Sequence, residues 1–176
     1  MAARALSRLR YNAAARLIRV SQRSTIAITA DGIISDPSKL SIEVDISTYH
    51  SGEVVLELFA PSGESVGLIK RIGANDDYDC GSMIKEFEVG NKLTFNSANT
   101  SFLAFPYVTG NYAPTRGRSH FPISVRMTPL GTFLAGKDIR GAWKIKMYDY
   151  NAEDVVSLGA CRLNSWKLKF EAGAVR

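Results

Sequence analysis

Two runs constrain this chain more than any other feature. They are Gly136-Lys-Asp-Ile-Arg-Gly-Ala-Trp-Lys-Ile-Lys-Met-Tyr-Asp149 and Leu163-Asn-Ser-Trp-Lys-Leu-Lys-Phe170. Each opens its alternation on a tryptophan and then interleaves apolar residues with lysine: Trp143, Ile145 and Met147 in the first, Trp166, Leu168 and Phe170 in the second. Successive side chains of a strand point to opposite faces, so both runs predict strands with one apolar face and lysines in water. The same alternation in Leu40–Ile46 turns Leu40, Ile42, Val44 and Ile46 inward, and Glu53–Phe59 reads as a further strand. Ala60-Pro61-Ser62-Gly63 suits a β-turn, with proline presetting φ and glycine admitting positive φ, and Val66–Lys70 is the return strand. Ser24–Ile34 alternates Ile26 and Ile28 up to an Asp31-Gly32 turn signal. That segment is either a first hairpin or a linker ending in an edge strand.

The fold class these patterns predict is all-β. With 176 residues, 45% of them hydrophobic, the chain has room for one domain of roughly 130–140 residues plus an extension, and enough core to stand without disulfides. Two cysteines, Cys80 and Cys161, are too few for a disulfide scaffold and are expected as free, partly buried thiols.

The net charge of +5 is unevenly placed. Residues 1–30 hold Arg4, Arg8, Arg10, Arg16, Arg19 and Arg23 and no acid, which leaves 16 basic and 17 acidic groups for the rest. The basicity therefore belongs to an extension, 1–30, and a near-neutral domain of residues 31–176 is weak ground for a nucleic-acid-binding fold. Met1–Arg23 is rich in Ala, Leu and Arg, which favour helix. At helical spacing Leu6, Leu9, Ala13, Leu17 and Val20 share one face and most arginines the other. Three readings follow: a mitochondrial transit peptide, a retained helix docking on a partner, an anionic membrane surface or RNA, and a solvated tail. A secretory signal is not expected, since no uninterrupted apolar core is present, and no run approaches the roughly 20 apolar residues of a membrane span.

The R-G-x-W entry of the first tryptophan strand and the N-S-W entry of the second resemble the end of the P domain, the β-rich module that follows the catalytic domain in kexin- and furin-like proprotein convertases. Tyr49-His-Ser-Gly-Glu-Val-Val-Leu-Glu-Leu-Phe-Ala-Pro-Ser-Gly63 is similar to that family's H-[TS]-x-x-G-D-L strand and [ST]-P-S-G turn, with Glu53 for the usual Asp and Ala60 where Ser is common. Gly110-Asn-Tyr-Ala-Pro114 matches its G-x-[YF]-x-P segment, and Leu130, Phe133 and Trp143 follow in the family's order. The resemblance covers about residues 35–171 and implies a jelly-roll sandwich, here preceded by the basic amphipathic helix. Gly81–Thr109 and Thr115–Pro129 are longer or less regular than compact versions, and extra residues precede Trp166. Such loops often carry partner contacts.

No catalytic constellation assembles. The two histidines, His50 and His120, fall in turns or loops, and His50 is expected to satisfy its turn. No G-x-S-x-G elbow, Walker loop or dinucleotide-binding glycine pattern occurs. Asp76, Asp77 and Asp79 form the one acidic set that suits Ca²⁺, though a solvated acidic loop explains the same residues, and no cofactor is expected. Asp149 corresponds to the strand-ending aspartate of the P domain and is expected to cap a turn. Tyr148 and Tyr150 are expected to pack at the sheet rim. Arg116, Arg118 and His120 share a Gly-containing loop suited to an acidic partner or to plain solvation.

Together these features predict a non-catalytic subunit of a large, mitochondrial assembly. Arg4, Arg8, Arg16, Arg19, Arg116 and Arg118 meet its other protein subunits, and Trp143, Trp166, Pro61, Gly63 and Asp149 hold the fold. The alternative is an extracellular or virion module that binds carbohydrate or protein.

Overall fold

In the computed structural model, which describes residues 19–74, 86–118, 124–149 and 161–176, the chain is an all-β sandwich. One sheet holds β1 (Arg19–Ile28), β8 (Gly141–Asp149), β3 (Val54–Phe59), β4 (Ser65–Lys70) and β7 (Thr115–Arg116), in that order. The other holds β6 (Gly110–Tyr112), β5 (Lys92–Asn96), β2 (Leu40–Ser47) and β9 (Arg162–Phe170). All ladders are antiparallel except β4 with β7 and β5 with β6. Helix is confined, among the described residues, to α1 (Leu130–Leu134) and two 3₁₀ turns, Pro37–Lys39 and Ser51–Glu53. No helix among them is long and apolar enough to cross a membrane.

The alternating strands lie as their patterns require. Leu40, Ile42, Val44 and Ile46 of β2 face Trp143, Ile145 and Met147 of β8 across the core, and all seven are buried. The Trp143 indole N–H donates to the Ile139 carbonyl at 2.9 Å, so a wholly enclosed polar atom is satisfied. Trp166 is buried as well, with Leu168 and Phe170 only partly covered beside it. The β3–β4 hairpin closes on Pro61 and Gly63: Gly63 sits at φ +91°, and its N–H donates to the Ala60 carbonyl at 2.9 Å. Only glycine adopts that backbone without strain.

One expectation is corrected. The helical reading of Met1–Arg23 fails from Arg19 onward, because Arg19–Ile28 is strand β1, paired with the full length of β8. Ten residues assigned by composition to the extension thus belong to the five-stranded sheet. The physical reason is tertiary. β8 would otherwise expose a row of unpaired N–H and C=O groups, and β1 pairs them while Ile26 and Ile28 pack on the core. The Gln22 side-chain oxygen also accepts from the Leu163 N–H of β9, tying the neighbouring edges of the two sheets together. Residues 1–18, with Arg4, Arg8 and Arg16, lie outside the described residues.

Candidate binding face

Two regions carry polar or apolar groups that the sandwich alone does not explain. The first is a buried polar cluster where β2, β3, β8 and β9 converge. Cys161 is a free, buried thiol whose Sγ lies 3.0 Å from Thr48 Oγ1. Burial, and then the charge of Asp149, push this thiol up to about 12, so it stays protonated and is a poor nucleophile. Asp149 ends β8 as a buried residue against that thiol, and residues 150–160, where it was expected to cap a turn, lie outside the described residues. Ser51 donates to the Ile72 carbonyl at 3.3 Å and accepts from the Tyr107 hydroxyl at 2.8 Å, so its hydroxyl proton is already engaged. Burial raises the Tyr107 phenol further, so it too keeps its proton.

His50 departs from expectation. Its backbone is tied into the turn, the N–H to Thr48 Oγ1 at 3.3 Å and the carbonyl to the Glu53 N–H at 3.2 Å. Both ring nitrogens are buried without a partner, so the ring does not satisfy the turn. Arg71, fully buried and at φ +48°, donates from Nε to the Gly52 carbonyl at 3.0 Å. That left-handed backbone is one that only constraint from the surroundings maintains in a non-glycine residue. Through Arg71, Ser51 and Tyr107 the cluster locks the 47–53 turn against the end of β4.

The second region is the segment joining β5 to β6. Leu103 and Tyr107 turn into the core, and Tyr107 stacks on Phe87 with ring centroids 4.2 Å apart. With these two as anchors, the intervening residues face outward: Phe102 is 67% exposed, Phe105 52% and Val108 51%. Three such side chains on one short segment form an unusually apolar surface for a loop. Asn99 holds the segment's base, its side-chain N–H groups donating to the carbonyls of Thr94 and Tyr112. Beside it opens a cleft of about 760 Å³, bounded by Phe102, Leu103, Ile72, Met127, Pro129 and Leu130, with Thr115 and Arg116 of β7 along one side. A second cleft, of about 580 Å³, lies between Ser47–Tyr49, Glu86–Val89 and Arg162.

Arg116 and Arg118 are both exposed at this end of the molecule, and Arg116 lines the larger cleft. Gly117 between them is required by close approach: a Cβ there would come within 2.0 Å of the Arg71 carbonyl oxygen and 2.9 Å of that of Ala74. The buried Arg71 backbone therefore sets where the two exposed arginines emerge. Arg19 lies far along the sheet, opposite Asp149 in the β1–β8 register. His120, Cys80, Tyr150, Asp76, Asp77 and Asp79 lie outside the described residues, and no metal-binding group occurs among those that are described. Tyr148 is half-buried, its hydroxyl donating to Glu57 at 2.8 Å, as a packed rim residue does.

Sequence reasoning missed Phe102, Phe105 and Val108. Ser101-Phe-Leu-Ala-Phe-Pro-Tyr-Val108 is rich in apolar residues but has no strand alternation, and that combination was the available signal.

No family model matches the chain, and no characterised protein matches it in sequence. Among solved structures it is similar to a serine protease of Aeromonas sobria, with 12% identity over 85% of this chain and a TM-score of 0.36. It is also similar to the A. sobria serine protease and chaperone complex, with 11% identity, 85% coverage and a TM-score of 0.38. The chain spans 20% and 23% of the length of those chains. By its fold, this is a β-sandwich protein.

Proposed function

We propose that this chain is a non-catalytic docking subunit of a larger protein assembly, built on a P-domain-type sandwich that binds a partner through the face formed by Phe102, Phe105 and Val108. The single observation that carries the reading is that exposed apolar segment, anchored by buried Leu103 and Tyr107 so that it is held outward. Covering apolar surface is the main driving force of association, and exposed aromatic anchors are where binding energy concentrates. The P-domain assignment is supported by the order of motifs along residues 35–171, and the non-catalytic role by a thiol, a serine and a phenol that are each held protonated or fully engaged.

The mitochondrial location rests on the arginine-rich, acid-free composition of the first residues. β1 adds a constraint to it. Removal of a leader compatible with this fold ends before Arg19, since Arg19–Ile28 covers the edge of β8.

The test is to replace Phe102 and Phe105 together by Asp in the native host and to follow the size of the tagged chain in gently lysed, fractionated cells. The unaltered chain should run in a large mitochondrial species and the double variant as a free, monomer-sized protein. Migration of both as the free chain overturns the assembly reading. Migration of both in the same large species overturns the assignment of this face.

A further inference from the structure

We propose that the cleft beside β7 seats an apolar side chain of a partner protein segment, and that a carboxylate next to that side chain pairs with Arg116. The inference rests on the docking reading above and adds the chemistry of what docks.

The cleft, at about 760 Å³, is of the size that takes a large side chain and its neighbours. Part of its wall is apolar, with Ile72, Met127 and Pro129 lining it, Leu103 and Leu130 buried, and Phe102 standing exposed at the rim. Its polar walls are held in place: Asn96 donates to the Ser38 and Leu40 carbonyls and Asn99 to those of Thr94 and Tyr112. Thr115 Oγ1 likewise accepts from the Leu103 N–H and donates to the Ala113 carbonyl.

The charge pattern selects the ligand. Among the described residues Arg116 is the one charged residue lining the cleft, no acid accompanies it there, and it makes no ion pair. The other sheet shows the contrast, since its Lys92, Lys167 and Lys169 are all matched by Asp45 or Glu43. A guanidinium beside an apolar wall is complementary to a carboxylate, which it can take in a two-bond fork.

A protein segment fits better than a small molecule. Phe102 belongs both to the cleft and to the run of exposed apolar groups that continues through Phe105 and Val108 outside it. A chain leaving the cleft covers that run, whereas a molecule confined to the cleft leaves it in water.

The experiment uses the full chain and two fluorescein-labelled Gly/Ser-flanked peptides, one centred on Leu-Phe-Glu-Glu and the other on Leu-Phe-Gln-Gln, read by fluorescence polarisation. The Glu peptide should bind about threefold to fivefold more tightly than the Gln peptide, the size expected for an exposed ion pair. Arg116→Gln should abolish that preference with an unchanged melting curve. Phe102→Ser should weaken both peptides, and Lys144→Gln on β8, separated from β7 by β3 and β4, should change neither. Equal binding of the two peptides, a Glu preference that survives Arg116→Gln, or no binding of either peptide overturns the proposal. If that happens while Phe102→Asp with Phe105→Asp still frees the chain from its assembly, the ligand chemistry is wrong and the docking reading stands.

Discussion

Trp143 and Trp166 look equivalent in the alternation, but replacing each with phenylalanine should have very different consequences. Trp143 is wholly buried and its indole N–H is bonded to the Ile139 carbonyl, whereas the buried Trp166 indole N–H has no partner. Either change removes roughly 40 Å³, worth about 1 kcal/mol at ~24 cal/mol per Å³ of unfilled cavity. In Trp143→Phe the lost bond and the stranded carbonyl add about 1–3 kcal/mol. In Trp166→Phe the deletion instead removes an unsatisfied buried donor, which returns about 1 kcal/mol or more and leaves a net change near zero. At about 2–4 °C per kcal/mol for a chain of this size, Trp143→Phe should melt ~5–15 °C lower and Trp166→Phe within ~3 °C of the parent. Differential scanning calorimetry at pH 7 decides it. Equal melting temperatures for the two variants, or a larger loss at Trp166, would refute the hydrogen-bond argument.

The remaining predictions concern the edge strand, acid stability and the buried thiol. Truncation of residues 1–18 should leave the melting temperature within a few degrees. Truncation through Ile28 should cost about 2 kcal/mol from the half-buried Ile26 and Ile28 alone and yield aggregating protein by light scattering; a soluble, cooperatively melting product would remove β1 from the fold. Burial alone would raise the Asp45 carboxyl, but Lys92, Asn164 and the Gly90 N–H together outweigh it and hold the carboxyl below its usual range. A depressed folded value contributes stability above the unfolded pKa of about 3.9, and that contribution is lost as pH falls through the folded value. Asp45→Asn should therefore lower the urea midpoint at pH 7, with the gap closing below about pH 4; a gap independent of pH would count against the Lys92 pair. Cys161 has the opposite sign: its raised value contributes stability that is complete below about pH 8.5 and fades as pH climbs toward the folded value near 12. In a Cys80→Ser background the native protein should resist maleimide at pH 8 and react only in denaturant, and prompt labelling would contradict the burial.

The strands were legible where each residue's environment follows from its neighbours in sequence. Leu40–Ile46 and Trp143–Met147 alternate because each strand has one wet and one dry face, and the sandwich buries those residues as the pattern demands. The Pro61–Gly63 turn was legible because proline and glycine state their own backbone angles. Residues 19–23 misled because their arginines continue a helical pattern, while the alternation of Ile26 and Ile28 already pointed to a strand; the edge of β8 that recruits the segment lies more than a hundred residues away in the chain. The outward-facing residues of the segment joining β5 to β6 were not legible for a related reason: which of its apolar residues face out depends on Leu103 and Tyr107 finding the core, and on Phe87 stacking there.

By itself the sequence determined an all-β chain, its core positions and its tight turn, since these follow from period-two alternation and from the conformational limits of proline and glycine. The tertiary structure alone decided that β1 closes the sheet, that burial and then the charge of neighbouring Asp149 keep Cys161 a thiol, and that Arg116 makes no ion pair among the described residues beside a partly apolar cleft. Each of those depends on groups far apart in the chain coming within a few ångströms, and hydrogen bonding, desolvation and charge act over such distances in space without regard to separation in sequence.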